Sequence, residues 1–217
     1  DFFNLALQVT GALGKVHARQ IMHKDLNPSN IVFNRETGKA KLIDFGLSTM
    51  LPRETLARVD VNVMEGTLAY ISPEQTGRIN RAVDFRTDFY SLGVTFYELL
   101  TARLPFEERD LLALLHSHIA KQALPPHEIN PGLPRVLSDI VMKLLAKSAE
   151  DRYQSAYGLQ ADLRECQRQW EQGGAIREFP LAQSDVSDRI QVSQKVFGRE
   201  QELATLLSAF EKVKAGE

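Results

Sequence analysis

A carboxylate and an amide five positions apart, Asp25 and Asn30 in "HKDLNPSN", are followed beyond a short apolar hairpin by a second carboxylate, Asp44. A hydroxyl attacking a phosphate needs an acceptor for its proton, and nucleotide phosphates need hard cations held by oxygen ligands. Asp25 could orient the hydroxyl, while Asn30 offers an amide oxygen and Asp44 a carboxylate. The hairpin between Asn30 and Asp44 can fold back to bring both onto one magnesium–nucleotide site. A turn alone also uses Asp, Asn and Pro, but it does not require this spacing.

The elements that would position these groups are legible from periodicity. Phe2, Leu5, Ala6, Val9, Ala12, Leu13 and Val16 recur at helical spacing, so residues 2–19 read as an amphipathic helix. "NIVFN" and "KAKLIDF" are short β-branched-rich runs joined by "RETGK", where Gly38 can take the positive φ of a tight connection. Residues 48–74 have little periodicity and are long for a connection, as a regulatory segment would be. "FRTDFYSLGVTFYELLT" is apolar nearly all round and predicts a helix through the middle of the domain. "ERDLLALLHSHIA", "LPRVLSDIVMKLLAK" and "SAYGLQADLRECQRQW" give three more helices, separated by "LPPHEINPGLP" and "SAEDRYQ". The expected class is α+β and mostly α.

The bulk numbers exclude some functions. With 26 basic and 28 acidic residues the formal net charge is −2, so no electrostatic footprint favours nucleic acid or an anionic membrane. No apolar run is long enough for a bilayer; "FYSLGVTFYELL" is too short and carries Glu98. The single cysteine, Cys166, can make no internal disulfide, which suits a reducing, cytoplasmic location.

"HKDLNPSN", "LIDFGLS", "GTLAYISPE" and "TDFYSLG", in that order and followed by "EDRYQSA", closely resemble the large lobe of eukaryotic-type protein kinases, over residues 1–171. The resemblance implies a helical lobe with a small β-hairpin, ATP and magnesium as cofactors, and a protein substrate with a Ser/Thr hydroxyl. It places Asp25 at the catalytic aspartate, and Asn30 and Asp44 at the two magnesium ligands that hold the nucleotide. His23 would prop up the loop backbone, Thr67 and Glu74 would end the activation segment, Glu74 would pair with Arg152, and Asp88 would cap the catalytic loop. "DLNPSN" and "GTLAYISPE" are closer to the Ser/Thr subgroup than to the tyrosine one.

Two departures from the family pattern bear on catalysis. Lys24 replaces an arginine that in many members binds a phosphorylated activation segment, and a lysine offers a point charge rather than a planar fork. Asn27 stands where Ser/Thr members carry a lysine that contacts the transferred phosphate, so slow transfer or none is expected. The glycine-rich loop, strand lysine and partner glutamate of a small lobe do not precede Asp1, so the isolated chain is expected to be inactive. A regulatory, pseudokinase-like module is the rival reading. Small-molecule phosphotransferases share the H-x-D-x-x-x-x-N loop, but the long segment ending in "SPE" argues against them.

Other residues read more plainly. His116 and His118, an i, i+2 pair, point to different sides of a helix and make a poor metal site. His17 reads as a packed core histidine, Trp170 as a packing residue, and "RINRAVDFR" as a solvated turn. Ser48, Thr49 and Thr55 read as solvated or phosphorylatable loop residues. Residues 172–195 mix Gly, Pro, Ser and charges as a linker would. Residues 196–217, "VFGREQELATLLSAFEKVKAGE", resemble the start of an AAA/STAND-type ATPase module in the same polypeptide, as in large bacterial signalling proteins, some of which continue into a histidine kinase.

Overall fold

A computed structural model of the chain describes residues 2–50 and 68–186. The described residues fall in one compact unit, residues 1–187. Helices α1 (Phe2–Ala18), α2 (Arg86–Thr101), α3 (Leu111–Ala120), α4 (Pro126–Ile129), α5 (Arg135–Leu144) and α6 (Ala156–Gly173) make up most of it. Strands β1 (Ile21–Met22), β2 (Ile31–Asn34), β3 (Lys39–Leu42) and β4 (Thr49–Met50) form two antiparallel pairs, β2 with β3 and β1 with β4. Ile31 faces Leu42 and Asn34 faces Lys39 across the first pair.

The apolar surface of α2 explains its place. Every residue from Arg86 to Tyr97 is buried, so this helix is the axis on which α5 and the 3₁₀ turn Leu68–Tyr70 pack. Gly93 is where α5 comes closest: a Cβ there would lie 2.7 Å from Leu144 Cβ, so only glycine fits without displacing α5. The core formed around α2 includes Leu13, Met22, Leu26, Phe89, Tyr90, Ile140, Leu144, Tyr153 and Leu163.

α1 packs on α6 and on β3. Its Gln8 completes the open edge of the hairpin, donating from Nε2 to Gly38 O (2.7 Å) and accepting at Oε1 from Ala40 N (3.0 Å). A side-chain amide thereby replaces a neighbouring strand. Gly38 has φ +64, the left-handed turn expected of it. Polar caps start two helices: Asp110 accepts from Ala113 N, and Ser155 accepts from Gly158 N.

Several expectations are corrected. Trp170 is 48% exposed rather than packed, since the α6 face that carries Leu159, Leu163 and Cys166 is the buried one. "RINRAVDFR" is not simply solvated: Arg81 reaches Glu150 with both terminal nitrogens (2.7 and 2.6 Å), and Arg86 is buried against Asp84 and Gln154. The Pro-rich spacer holds the one-turn helix α4. α6 runs to Gly173, and part of the stretch expected as a linker lies on the body. There Ile176, Phe179 and Leu181 pack against the core, and Asp185 accepts from Gln154 N and Ser155 Oγ, both at 2.7 Å. Residues 187–217, with the expected ATPase start, lie outside the described residues, as do Thr55 and Thr67.

Candidate active site

The loop between β1 and β2 is built around one buried acid. Asp88, in the first turn of α2, accepts from Lys24 N at Oδ1 (2.7 Å) and from His23 N at Oδ2 (2.9 Å), while His17 Nε2 lies 2.8 Å from Oδ2. His17 is therefore more than a packed ring, though it also meets Phe85 and Phe89 edge-on. A carboxylate with no exposure is stable only when its lone pairs are occupied, and here they are.

This anchoring fixes the residues that follow. Asp25 accepts from Asn27 Nδ2 at Oδ1 and from Asn30 Nδ2 at Oδ2, both at 3.0 Å. Asn30 Nδ2 also donates to Asp25 O (2.8 Å), and Asn27 Oδ1 caps the turn Pro28–Asn30 by accepting from Ser29 N (2.9 Å). Two donations by one Nδ2 set the Asn30 amide and leave its Oδ1 available to a cation.

The hairpin returns the chain to the same place. Ile43 N donates to Asn30 O (3.0 Å), continuing the register of β2 and β3, so Asp44 follows directly across from the Asn30 loop. Asp44 has φ +60, a conformation that Asp tolerates through local hydrogen bonding, and its Oδ1 accepts from Gly46 N (3.1 Å). Asn30 and Asp44 are hard oxygen donors of the kind magnesium takes alongside phosphates and water, so the donor chemistry fits that ion. Among the described residues no group of three His, Cys, Asp or Glu suggests a different metal.

His23 is structural. Its Nε2 lies 3.1 Å from Ile43 O, and a carbonyl only accepts, so Nε2 carries the proton; Nδ1 is buried and has no partner among the described residues. The ring lies tilted against Phe45, next to Asp44, with centroids 4.7 Å apart. Lys24 is held below the usual lysine range by burial, against the pull of Asp88. Ile43, Phe45, Leu47 and Met50, close to Asp44 in sequence, are all more than 40% exposed.

Behind the site, Glu74 and Arg152 form a fully buried fork, Nη1 to Oε1 at 2.6 Å and Nη2 to Oε2 at 2.9 Å. Three links went unread in the sequence: Gln8 on the hairpin edge, Arg81 with Glu150, and Gln75, whose Nε2 donates to Lys24 O (2.9 Å). None has a periodic or spacing signal, because each partner is at least 30 positions away.

Residues 1–163 match the family described as "Protein kinase domain". A serine/threonine-protein kinase Pkn1 of Myxococcus xanthus is 40% identical over 68% of this chain and 21% of its own length. The serine/threonine-protein kinase PrkC of Bacillus subtilis is 32% identical over 76% of the chain and 24% of its own. A hybrid signal transduction histidine kinase G of Dictyostelium discoideum is 30% identical over 99% of the chain and 9% of its own. The chain thus spans less than a quarter of each relative's length. The family match over residues 1–163 and the helix-rich body with its small hairpin agree: the chain belongs to the protein kinase domain family.

Proposed function

We propose that this domain, within its full-length protein, transfers the γ-phosphate of ATP to a serine or threonine hydroxyl of a protein. The observation that supports the reading is the Asp25 carboxylate held by Asn27 and Asn30 of its own loop, with the hairpin bringing Ile43 N back to Asn30 O one residue before Asp44. Asp25 orients the acceptor hydroxyl and takes its proton as the new O–P bond forms. Asn30 and Asp44 would hold magnesium, which when bound neutralises phosphate charge. The exposed apolar side chains of Ile43, Phe45 and Leu47, on either side of Asp44 in the chain, suit a further layer of protein over this part of the site.

Asn27 favours a second reading, nucleotide binding with little transfer. Its neutral amide donates to Asp25, where a cation would stabilise charge building on the transferred phosphate. Asn27→Lys is therefore expected to raise turnover by roughly tenfold, about 1.4 kcal/mol in the barrier. A rate unchanged by the substitution would show that Asn27 does not limit transfer.

The setting is proposed as a multidomain signalling protein. Likeness to the serine/threonine kinases covers 68–76% of the chain, whereas likeness to the hybrid signalling protein covers 99%, so it continues past the kinase segment. An ATPase module beginning near residue 196 fits that continuation. Among the described residues no helix is long and apolar enough to cross a membrane, and Cys166 is a buried thiol that burial pushes up to about 12. A reducing, cytoplasmic setting suits it.

The reading is tested by incubating the full-length protein with radiolabelled ATP and a general protein acceptor, followed by phosphoamino-acid analysis. Label on serine or threonine, lost when magnesium is chelated, is the expected result. Label confined to histidine or aspartate would place the activity elsewhere in the polypeptide.

A further inference from the structure

Lys24 sits immediately before the proposed catalytic Asp25 with φ +67, a left-handed conformation disfavoured for a side chain of this kind. Such a residue persists only when its neighbours over-determine it. Its N–H side is held by Asp88 Oδ1 (2.7 Å), and its carbonyl side by Gln75 Nε2 (2.9 Å). The two peptide groups that flank the Lys24 Cα are thus held from opposite directions, the one before it by Asp88 of α2 and the one after it by Gln75 of the turn Glu74–Thr76.

Gln75 is itself locked. Its Oε1 accepts from Ser72 N (3.1 Å) and from Thr87 Oγ1 (2.9 Å), and its own N–H donates to Ser72 Oγ (3.4 Å). Thr87 spends its one hydroxyl proton on Gln75, so the 2.5 Å bond between Ser72 and Thr87 runs from Ser72 Oγ–H to Thr87 Oγ1. The three side chains close a ring in which each hydroxyl both donates and accepts, and Ser72 and Thr87 are wholly buried. A flipped Gln75 amide would set its oxygen against Lys24 O and its NH₂ against Ser72 N, so the ring leaves one orientation. Next to it, Glu74 is fixed by Arg152. The base of the tether is therefore rigid.

We propose that Gln75 is a positioning residue: it ties the backbone of the Lys24–Asp25 peptide to the segment 72–76, so that the Asp25 carboxylate is presented only when that segment is seated on α2. The consequence for rate rests on the kinase reading; the tether does not. A displacement of residues 72–76 from Thr87 removes the donor to Lys24 O and releases the strained residue beside Asp25.

Two substitutions in the full-length protein separate the tether from bulk packing. Gln75→Glu keeps an oxygen for Ser72 N and Thr87 but turns a second oxygen, not a donor, toward Lys24 O. Gln75→Met keeps the volume and removes every polar contact of the side chain. In both, amide exchange at Lys24 is expected to quicken by about tenfold while residues 92–96 of α2 keep their protection, and kcat to fall by about tenfold with KM for ATP little changed. Exchange and kcat like the unsubstituted protein in both variants, or Lys24 opening in step with α2, would overturn the proposal. Where the unsubstituted protein itself transfers no phosphate the kinase reading fails, and the exchange at Lys24 decides the tether alone.

Discussion

On the proposed reading, Asp44→Ala in the full-length protein is expected to reduce magnesium-dependent label transfer by about 10²–10³-fold, since removing one group that would hold the metal at the phosphates costs on the order of 3–4 kcal/mol. The substitution should leave the fold in place. Asp44 is exposed, lies beyond the end of β3, and makes one local bond, to Gly46 N. Its φ of +60 costs an alanine roughly 1–2 kcal/mol of local strain, well short of unfolding a domain of this size. A thermal midpoint close to that of the unsubstituted protein, together with lost transfer, assigns the activity to this hairpin. Asp25→Asn is the companion: it removes the proton acceptor with little change of shape and should lower kcat by about 10²–10⁴. Nucleotide affinity should survive that change, because Asn30 and Asp44 remain. Full label transfer by Asp44→Ala would move the chemistry to another domain, and the hybrid relative makes that outcome worth measuring.

How much of this was legible in the sequence divides by range. The helix period of α1, the all-round apolar α2 and the helical runs that become α3, α5 and α6 are local signals, and each of these helices lies within or close to the run that marks it. Asp25 and Asn30 share a loop, so their spacing already carries their proximity; Asp44 needs only a hairpin with Gly38 at its turn to come back. What stayed hidden is set by long-range pairing. β1 and β4 are two residues each, too short for a strand pattern to show, and are defined only by their pairing with each other. Arg81 meets Glu150 across 69 positions, and Gln75 meets Lys24 across 51, with no repeat to mark either. Composition misled twice: the polar stretch after α6 is anchored by three apolar side chains and Asp185, and Trp170, the largest apolar residue of its helix, faces outward.

Arg152→Ala is expected to cost about 3–5 kcal/mol, the usual loss when one partner of a buried ion pair is removed. For a domain of this size that lowers the thermal midpoint by roughly 6–20 °C. The size of the effect follows from what Arg152 does with its five N–H groups. Nε donates to Ala146 O, Nη1 to Glu74 and Arg86 O, and Nη2 to Glu74 and Lys147 O, while the guanidinium lies 4.9 Å over the Tyr90 ring. One side chain thus joins the segment before α2, the start of α2 and the chain after α5. Alanine leaves a carboxylate with 1% side-chain exposure and removes the guanidinium's donors from three carbonyls, in addition to leaving a cavity. Arg152→Lys should recover only part of the loss, because one ammonium has three donors and no fork. The decisive variant is the double one, Glu74→Met with Arg152→Met: removing both charges spares the uncompensated carboxylate, so it should be more stable than Arg152→Ala alone. If urea unfolding instead ranks the double variant below the single one, the unpaired Glu74 carboxylate is not the main cost of losing Arg152.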